Sequence, residues 1–175
     1  MDLQIVVSSA YLGAFPATFI ARGIIDWLPV DKVPKILQEI LATASHNPQP
    51  TSLQGAQVFH ITNPNVQSWG EFATSVVSLF SPTKMRLVEF TEWLALLRES
   101  VVATAKAGRG GAGVERNPAA LLLDFLSGIA GEAQGPRVLT HERAKKASRE
   151  LERVGRINED WLRNWMGQWG LLKTE

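Results

Sequence analysis

The sequence holds 175 residues, 45% of them hydrophobic and 20% charged, with 18 Lys and Arg against 17 Asp and Glu and no cysteine. At this length a folded chain buries roughly two-thirds of the surface its unfolded form exposes, so a core is available without cross-links. Disulfide scaffolds, cysteine-based zinc sites and thiol nucleophiles are excluded, and a net charge of +1 argues against a general nucleic-acid binder, whose affinity comes from many cations neutralising phosphates.

Residues 3–21 (LQIVVSSAYLGAFPATFIA) form the one stretch that could pass for a secretory signal. The chain opens Met1-Asp2 without a positive region, and Ser8, Ser9 and Pro16 interrupt the apolar run, so an internal core segment is expected. No run reaches the roughly 18 to 20 apolar residues that span a bilayer. A cytosolic protein without membrane contact is the expectation.

Asp31 is the expected N-cap of a helix in which Val33, Ile36, Leu37, Ile40, Leu41 and Ala44 recur at helical spacing, ending at the breaker run His46-Asn-Pro-Gln-Pro50. Gln57 to Thr62 (QVFHIT) is rich in β-formers and reads as a strand stopped by Asn63-Pro64-Asn65. Ser68-Trp-Gly-Glu71 has the form of a capping box before a helix carrying Phe72, Val76, Leu79 and Phe80. Met85 to Phe90 is a second strand, and Thr91 is the expected cap of a helix with Trp93, Leu96, Leu97 and Val101. Residues 103–116 are glycine-rich and read as a flexible loop.

Asn117-Pro118 then places an N-cap before proline at the first helical position, with Leu121, Leu122, Phe125, Leu126 and Ile129 following and Gly131 as the C-cap. Ala144, Ala147, Leu151 and Val154 give a charged helix a narrow apolar stripe. In the last helix Asn158 is the expected cap, Glu159 and Asp160 occupy the positive first turn, and Trp161, Trp165 and Trp169 recur four residues apart. Few strands and many helices give an α/β pattern that resembles the end of such a fold more than a whole one.

Gly108 to Gly113 (GRGGAG) formally matches a dinucleotide fingerprint, but a helix precedes it where the chemistry needs a strand, and the next helix waits until Asn117. His46, His60 and His141 are too scattered for a zinc site. Tyr11 has Phe15 four residues on, where the Tyr-x-x-x-Lys pair of short-chain reductases has its lysine. No complete catalytic constellation is present. Residues 137–163 hold eight basic and five acidic side chains, read as a solvated face, and the tryptophan helix is read as docking on its own core, with a partner face as the competing reading.

In order, Asp26-Trp-Leu-Pro-Val-Asp31, Val58-Phe-His-Ile-Thr-Asn-Pro64, Ser68-Trp69, Phe90-Thr-Glu-Trp93-Leu, Asn117-Pro118 with Leu-Leu-Leu-Asp-Phe125, Thr140 with Ser148, and Trp161-Leu-x-x-Trp165 form a series. It resembles the C-terminal part of the thioester reductase domain of fungal nonribosomal-peptide-synthetase-like and polyketide–peptide hybrid enzymes, domains similar to extended short-chain dehydrogenases. The resemblance covers nearly the whole chain.

It implies an α/β chain carrying the C-terminal portion of a Rossmann-like fold: residues 1–102 supply strands and helices, 103–116 a loop, and 117–175 a helical substrate-side subdomain. It also implies an oxidoreductase that reduces a carrier-bound acyl or peptidyl thioester with NADPH. The glycine-rich turn and the Ser or Thr, Tyr and Lys of the family have no counterparts here, so no catalytic or cofactor-binding residue is assigned and NADPH is implied only for the complete domain. In open α/β sheets ligands bind beyond the carboxyl ends of strands, which nominates His60, Asn63 and Trp69 for the substrate side. The expected partners are a phosphopantetheinylated carrier protein or a nucleotide-binding reductase half, with unpaired sheet edges favouring self-association. The competing reading is a non-enzymatic helical module that binds a carrier or acyl chain.

Overall fold

The long apolar stretch near the start of the chain folds as helix α1 (Asp2–Leu12), turns at Gly13 and continues as strand β1 (Ala14–Pro16). The computed structural model describes residues 2–19, 23–46, 57–80, 84–107, 116–130 and 139–172. The remaining elements are β2 (Ile24–Ile25), α2 (Val33–His46), β3 (Gln67–Ser68), α3 (Trp69–Ser78), β4 (Arg86–Val88), α4 (Phe90–Lys106), α5 (Leu123–Ile129), α6 (Glu142–Ala147), α7 (Arg149–Arg153) and α8 (Glu159–Gln168). Short 3-10 turns precede α2 (Val30–Lys32) and α5 (Pro118–Leu122). The described chain is therefore mostly helical with short strands, an α/β composition.

The chain divides into two units that interleave along the sequence: Met1–Ile24 with Ser68–Pro136 and Glu159–Glu175, and Ile25–Gln67 with Arg137–Asn158. Strands β2 and β3, which pair with each other, carry the chain across the division.

In the first unit β1 and β4 pair in parallel, with Ala14 opposite Arg86, Phe15 opposite Leu87 and Pro16 opposite Val88. Pro16 has no N–H to give to the ladder, and Ala17 supplies the donor one residue on, its N–H meeting the Val88 carbonyl at 2.7 Å. Helices α1, α3 and α4 pack on this pair. An aromatic cluster fills the space: Trp69 lies 5.8 Å from Phe15, 5.0 Å from Phe19 and 5.6 Å from Phe72, and Phe90 stacks on Trp93 at 6.1 Å.

The two serines that break the apolar run of α1 are buried and hydrogen-bonded. Ser9 Oγ accepts from the Trp93 indole at 3.0 Å and Ser8 Oγ accepts from the Ala119 N–H at 2.9 Å, tying α1 to α4 and to the turn before α5. Each bond satisfies a donor that burial would otherwise leave unpaired, a loss of about 1–3 kcal/mol.

The capping box at Ser68 forms as expected, with Ser68 Oγ accepting from Glu71 N–H and the Glu71 carboxylate accepting from Ser68 N–H. Strand β4 lies inside the expected 85–90 segment. Several other expectations are corrected. Thr91 is not the cap of α4, which starts at Phe90 with Glu89 in the cap position. Asp31 lies inside a 3-10 turn, so α2 begins later, at Val33. Leu37 and Leu41 of α2 are exposed while Ile36 and Ile40 are buried, and Leu121 and Phe125 are likewise exposed beside a buried Leu126. Gly131 and the Gly108–Gly113 run lie outside the described residues. Helix α8 buries Leu162 and Met166, and its tryptophans stand half-buried beside them, Trp161 and Trp165 with ring centroids 6.3 Å apart.

Gly13 is required by geometry. Its φ of 67° lies in the left-handed region, and a Cβ there would come within 3.3 Å of the Lys84 carbonyl oxygen. Gly128, inside α5, meets nothing within 4 Å of an added Cβ. Gly13→Ala is expected to lower unfolding stability by about 1–2 kcal/mol or more, and Gly128→Ala to raise it by up to about 1 kcal/mol, both read by urea unfolding. A Gly13→Ala protein as stable as the parent would show that the turn relaxes without strain.

Candidate functional site

The second unit is built around α2. Ile36 and Ile40 of α2 pack with Ala144 and Ala147 of α6 and Leu151 of α7, and Leu28, Phe59 and Ile61 close over them. The apolar stripe expected over 144–154 is thus real, Val154 included, but the single expected helix is two. Ser148 sits between them with extended backbone (φ −135°, ψ 115°). Its hydroxyl donates to the Glu39 carboxylate at 2.7 Å and accepts from the Leu151 N–H at 3.1 Å, while the Glu150 N–H donates to the same carboxylate at 2.9 Å. Glu39 is half-buried on α2, and Lys32 adds an ion pair to Glu150 at 2.7 Å.

At the other end of α6, His141 is buried and its Nε2 lies 2.7 Å from Thr62 Oγ1. The segment 57–62, expected as a strand, forms none and ends in a bend at Thr62, and side chains hold it in place of a neighbouring strand. Arg143 Nη1 donates to the Val58 carbonyl at 3.4 Å, His60 Nδ1 donates to the Thr140 carbonyl at 3.0 Å, and Thr62 meets His141. Phe59 and Ile61 turn to the core, while Val58 and His60 line the opposite side.

Those outward residues form one wall of a cleft of about 510 Å³, with Thr140, Glu142, Arg143 and Lys146 as the other. The spacing of 142, 143 and 146 puts the three side chains on the face of α6 opposite Ala144 and Ala147. Glu142 also lies 3.9 Å from Lys145, and the cleft is lined by two cations, one carboxylate, an imidazole and a threonine. Among the described residues no group of three His, Asp or Glu side chains could hold a metal ion, and no helix is long and apolar enough to cross a membrane.

The three nominated residues occupy different settings. His60 lines the cleft. Asn63 is buried behind it, where its amide donates to the carbonyls of Trp27 at 3.3 Å and Gly155 at 3.0 Å and its Oδ1 accepts from Asn65 N–H at 2.9 Å. Trp69 belongs to the other unit, 2% exposed within the aromatic cluster, its indole donating to the Pro16 carbonyl at 2.8 Å. Arg143 and Lys146, which share the cleft with His60, fall within the charged stretch read as a solvated face. Their i, i+3 spacing opposite an apolar stripe was the available signal.

Burial, followed by repulsion from His60, holds the His141 pKa below its usual 6.5, and the hydrogen bonds from Glu150 N–H and Ser148 hold that of Glu39 below 4.5. For His141 the unfolded chain takes up the proton first, so its contribution is complete above about pH 6.5 and declines as pH falls toward the folded value. For Glu39 the contribution is present above about pH 4.5 and is lost as pH falls through the depressed value. Hydrogen exchange at the α6 and α7 amides, corrected for intrinsic rates, should therefore show protection falling in two stages on acidification. His141→Gln should flatten the upper stage and Glu39→Gln the lower; a pH-independent profile in the parent protein would contradict both assignments.

No family model matches the chain. Comparison with known proteins finds carboxylic acid reductase of Neurospora crassa at 29% identity over 95% of this chain. It also finds 3-methylorcinaldehyde synthase of Sarocladium schorii at 30% over 94%, and the corresponding synthase of Talaromyces stipitatus at 27% over 85%. The chain spans 15% of the Neurospora protein and 6% and 5% of the two synthases. One of these relatives is thus named for reduction and two for an aldehyde. The likeness read from the motif series is met by these relatives: the chain is homologous to a segment shared by fungal carboxylic acid reductase and fungal non-reducing polyketide synthases.

Proposed function

We propose that the chain is the substrate-side segment of an NADPH-dependent thioester reductase, a Rossmann-like extended short-chain dehydrogenase domain. It would take part in reductive release of a carrier-bound acyl or peptidyl thioester, with other residues of the domain supplying hydride transfer. The observation that carries this reading is homology along nearly the full chain to a protein named for reduction of carboxylic acids and to synthases named for an aldehyde, the oxidation level that one such reduction reaches. The parallel β1–β4 pair with helices packed on it is consistent with one margin of such a sheet.

The described residues do not fit NADPH. Pyrophosphate recognition needs a strand leading through a glycine-rich turn into a helix N-terminus. Strand β1 runs on into Ala17-Thr18-Phe19, and β4 runs into Glu89, whose carboxylate stands at the start of α4 and accepts from Thr18 at 3.3 Å. No step of hydride transfer is therefore derived from this chain. Its contribution is a cleft bearing His60, Thr140, Arg143 and Lys146, with Asn63 fixing the backbone behind it.

A segment exchange tests this reading. Placed in the Neurospora carboxylic acid reductase in place of the homologous segment, the chain should preserve NADPH oxidation that depends on an acyl thioester. Deletion of the segment should abolish it. A folded chimera that binds NADPH yet reduces none of a panel of aliphatic and aromatic acyl thioesters would overturn the proposal.

A further inference from the structure

We infer that the cleft between residues 58–60 and α6 is a binding site for a phosphate ester, held by Arg143 and Lys146 with His60 and Thr140 completing the polar wall. The argument begins with charge. Helix α6 contributes two cations and one carboxylate to the lining, and Glu142 also lies 3.9 Å from Lys145, so the lining carries a net positive charge. Arg143 spends one N–H on the Val58 carbonyl, a bond that aims the guanidinium along the cleft wall and leaves its other donors available. Lys146 has no hydrogen-bond or ion-pair partner among the described residues, so its ammonium is uncommitted.

Neutral donors and acceptors complement the cations. His60 is fixed by donation of its Nδ1–H to the Thr140 carbonyl, which makes its ring a positioned part of the wall and ties Thr140 to the opposite side. The Thr140 hydroxyl lines the same space and can donate to an anionic oxygen. Val58, 60% exposed, gives the mouth of the cleft an apolar contact for the organic part of an ester. A planar fork, a point-charge ammonium and a hydroxyl-bearing residue lining one space suit a tetrahedral oxyanion with several acceptor oxygens.

The wall is also preorganised. Residues 58–62 are held to α6 and its flanks by three side-chain bonds, and α6 is anchored at either end through His141 and Ser148, so little ordering remains when an anion binds. The charge argument stands on the cleft alone. The choice of organic ligand rests on the reductase reading, which makes the phosphate of a phosphopantetheine arm the source and free phosphate the competitor.

Calorimetric titration of the whole chain with 4′-phosphopantetheine, pantetheine and inorganic phosphate tests the site without requiring turnover, so a failed reductase assay and a failed binding site remain distinguishable. Phosphopantetheine is expected to bind at least tenfold more tightly than pantetheine, and the double variant Arg143→Gln, Lys146→Gln to weaken it at least tenfold while the circular dichroism spectrum is unchanged. Phosphopantetheine binding tighter than inorganic phosphate assigns the arm as the source; equal affinities assign free phosphate and retain the site. Equal affinity for pantetheine and phosphopantetheine, no binding of either phosphate compound at millimolar concentration, or affinity unchanged in the folded double variant would each overturn the inference. Should the double variant lose its folded spectrum, Thr140→Val supplies the same reading by removing a hydroxyl of the wall without altering charge.

Discussion

The geometry of the cleft depends on one carboxylate. Glu39, on the half-buried flank of α2, receives the Ser148 hydroxyl and the Glu150 N–H, and these bonds stop α6 and restart the chain as α7. Were the helix continuous through Ser148, the face carrying Glu142, Arg143 and Lys146 would run on in phase into Arg149 and Arg153 as an unbroken charged surface. Ala144, Ala147 and Leu151 share the apolar side against α2, as their i, i+3, i+7 spacing would have them do on an unbroken helix, so what the break changes is the charged face, which ends at the cleft. Charge-assisted bonds from a hydroxyl and a backbone amide to one carboxylate are among the stronger contacts that a surface-proximal element can make.

The first unit solves a comparable problem with neutral groups. Its aromatic residues are large enough to fill the space over two short strands, but indoles bring N–H groups that cannot be buried unpaired. Trp69 finds the Pro16 carbonyl and Trp93 finds Ser9, so each bulky ring is also a locating pin between elements far apart in sequence. The proline that interrupts the β1 ladder thereby gains a use for its carbonyl, and the serines that interrupt the apolar run of α1 supply acceptors where an all-apolar helix would have none.

Much of the local structure was legible because its causes are local. The Ser68 capping box lies within four residues, and the β4 segment is a short run of β-formers with a helix behind it. The run of β-formers in 57–62 could not disclose that side chains take the place of a ladder. The break at Ser148 was illegible for a physical reason: Lys-Lys-Ala-Ser-Arg-Glu-Leu has good helical propensity, and the group that overrules it lies 109 residues earlier. Thr91 failed as a cap because the helix starts one residue before it. His60 was nominated from its place at the carboxyl end of an expected strand, whereas Arg143 and Lys146 lie in a stretch where cations outnumber anions and none stands out. The interleaving of the two units has no signature in composition at all.

That interleaving sets a timetable for synthesis. The apolar face of α2 and its acidic anchor leave the ribosome long before residues 137–158, and closing a loop of this length must precede any reward from the contacts it makes. During that interval Ile36 and Ile40 lack the Ala144, Ala147 and Leu151 side chains that pack with them once the unit has folded. The same Glu39–Ser148 contact that fixes the cleft therefore forms only after synthesis has passed residue 148.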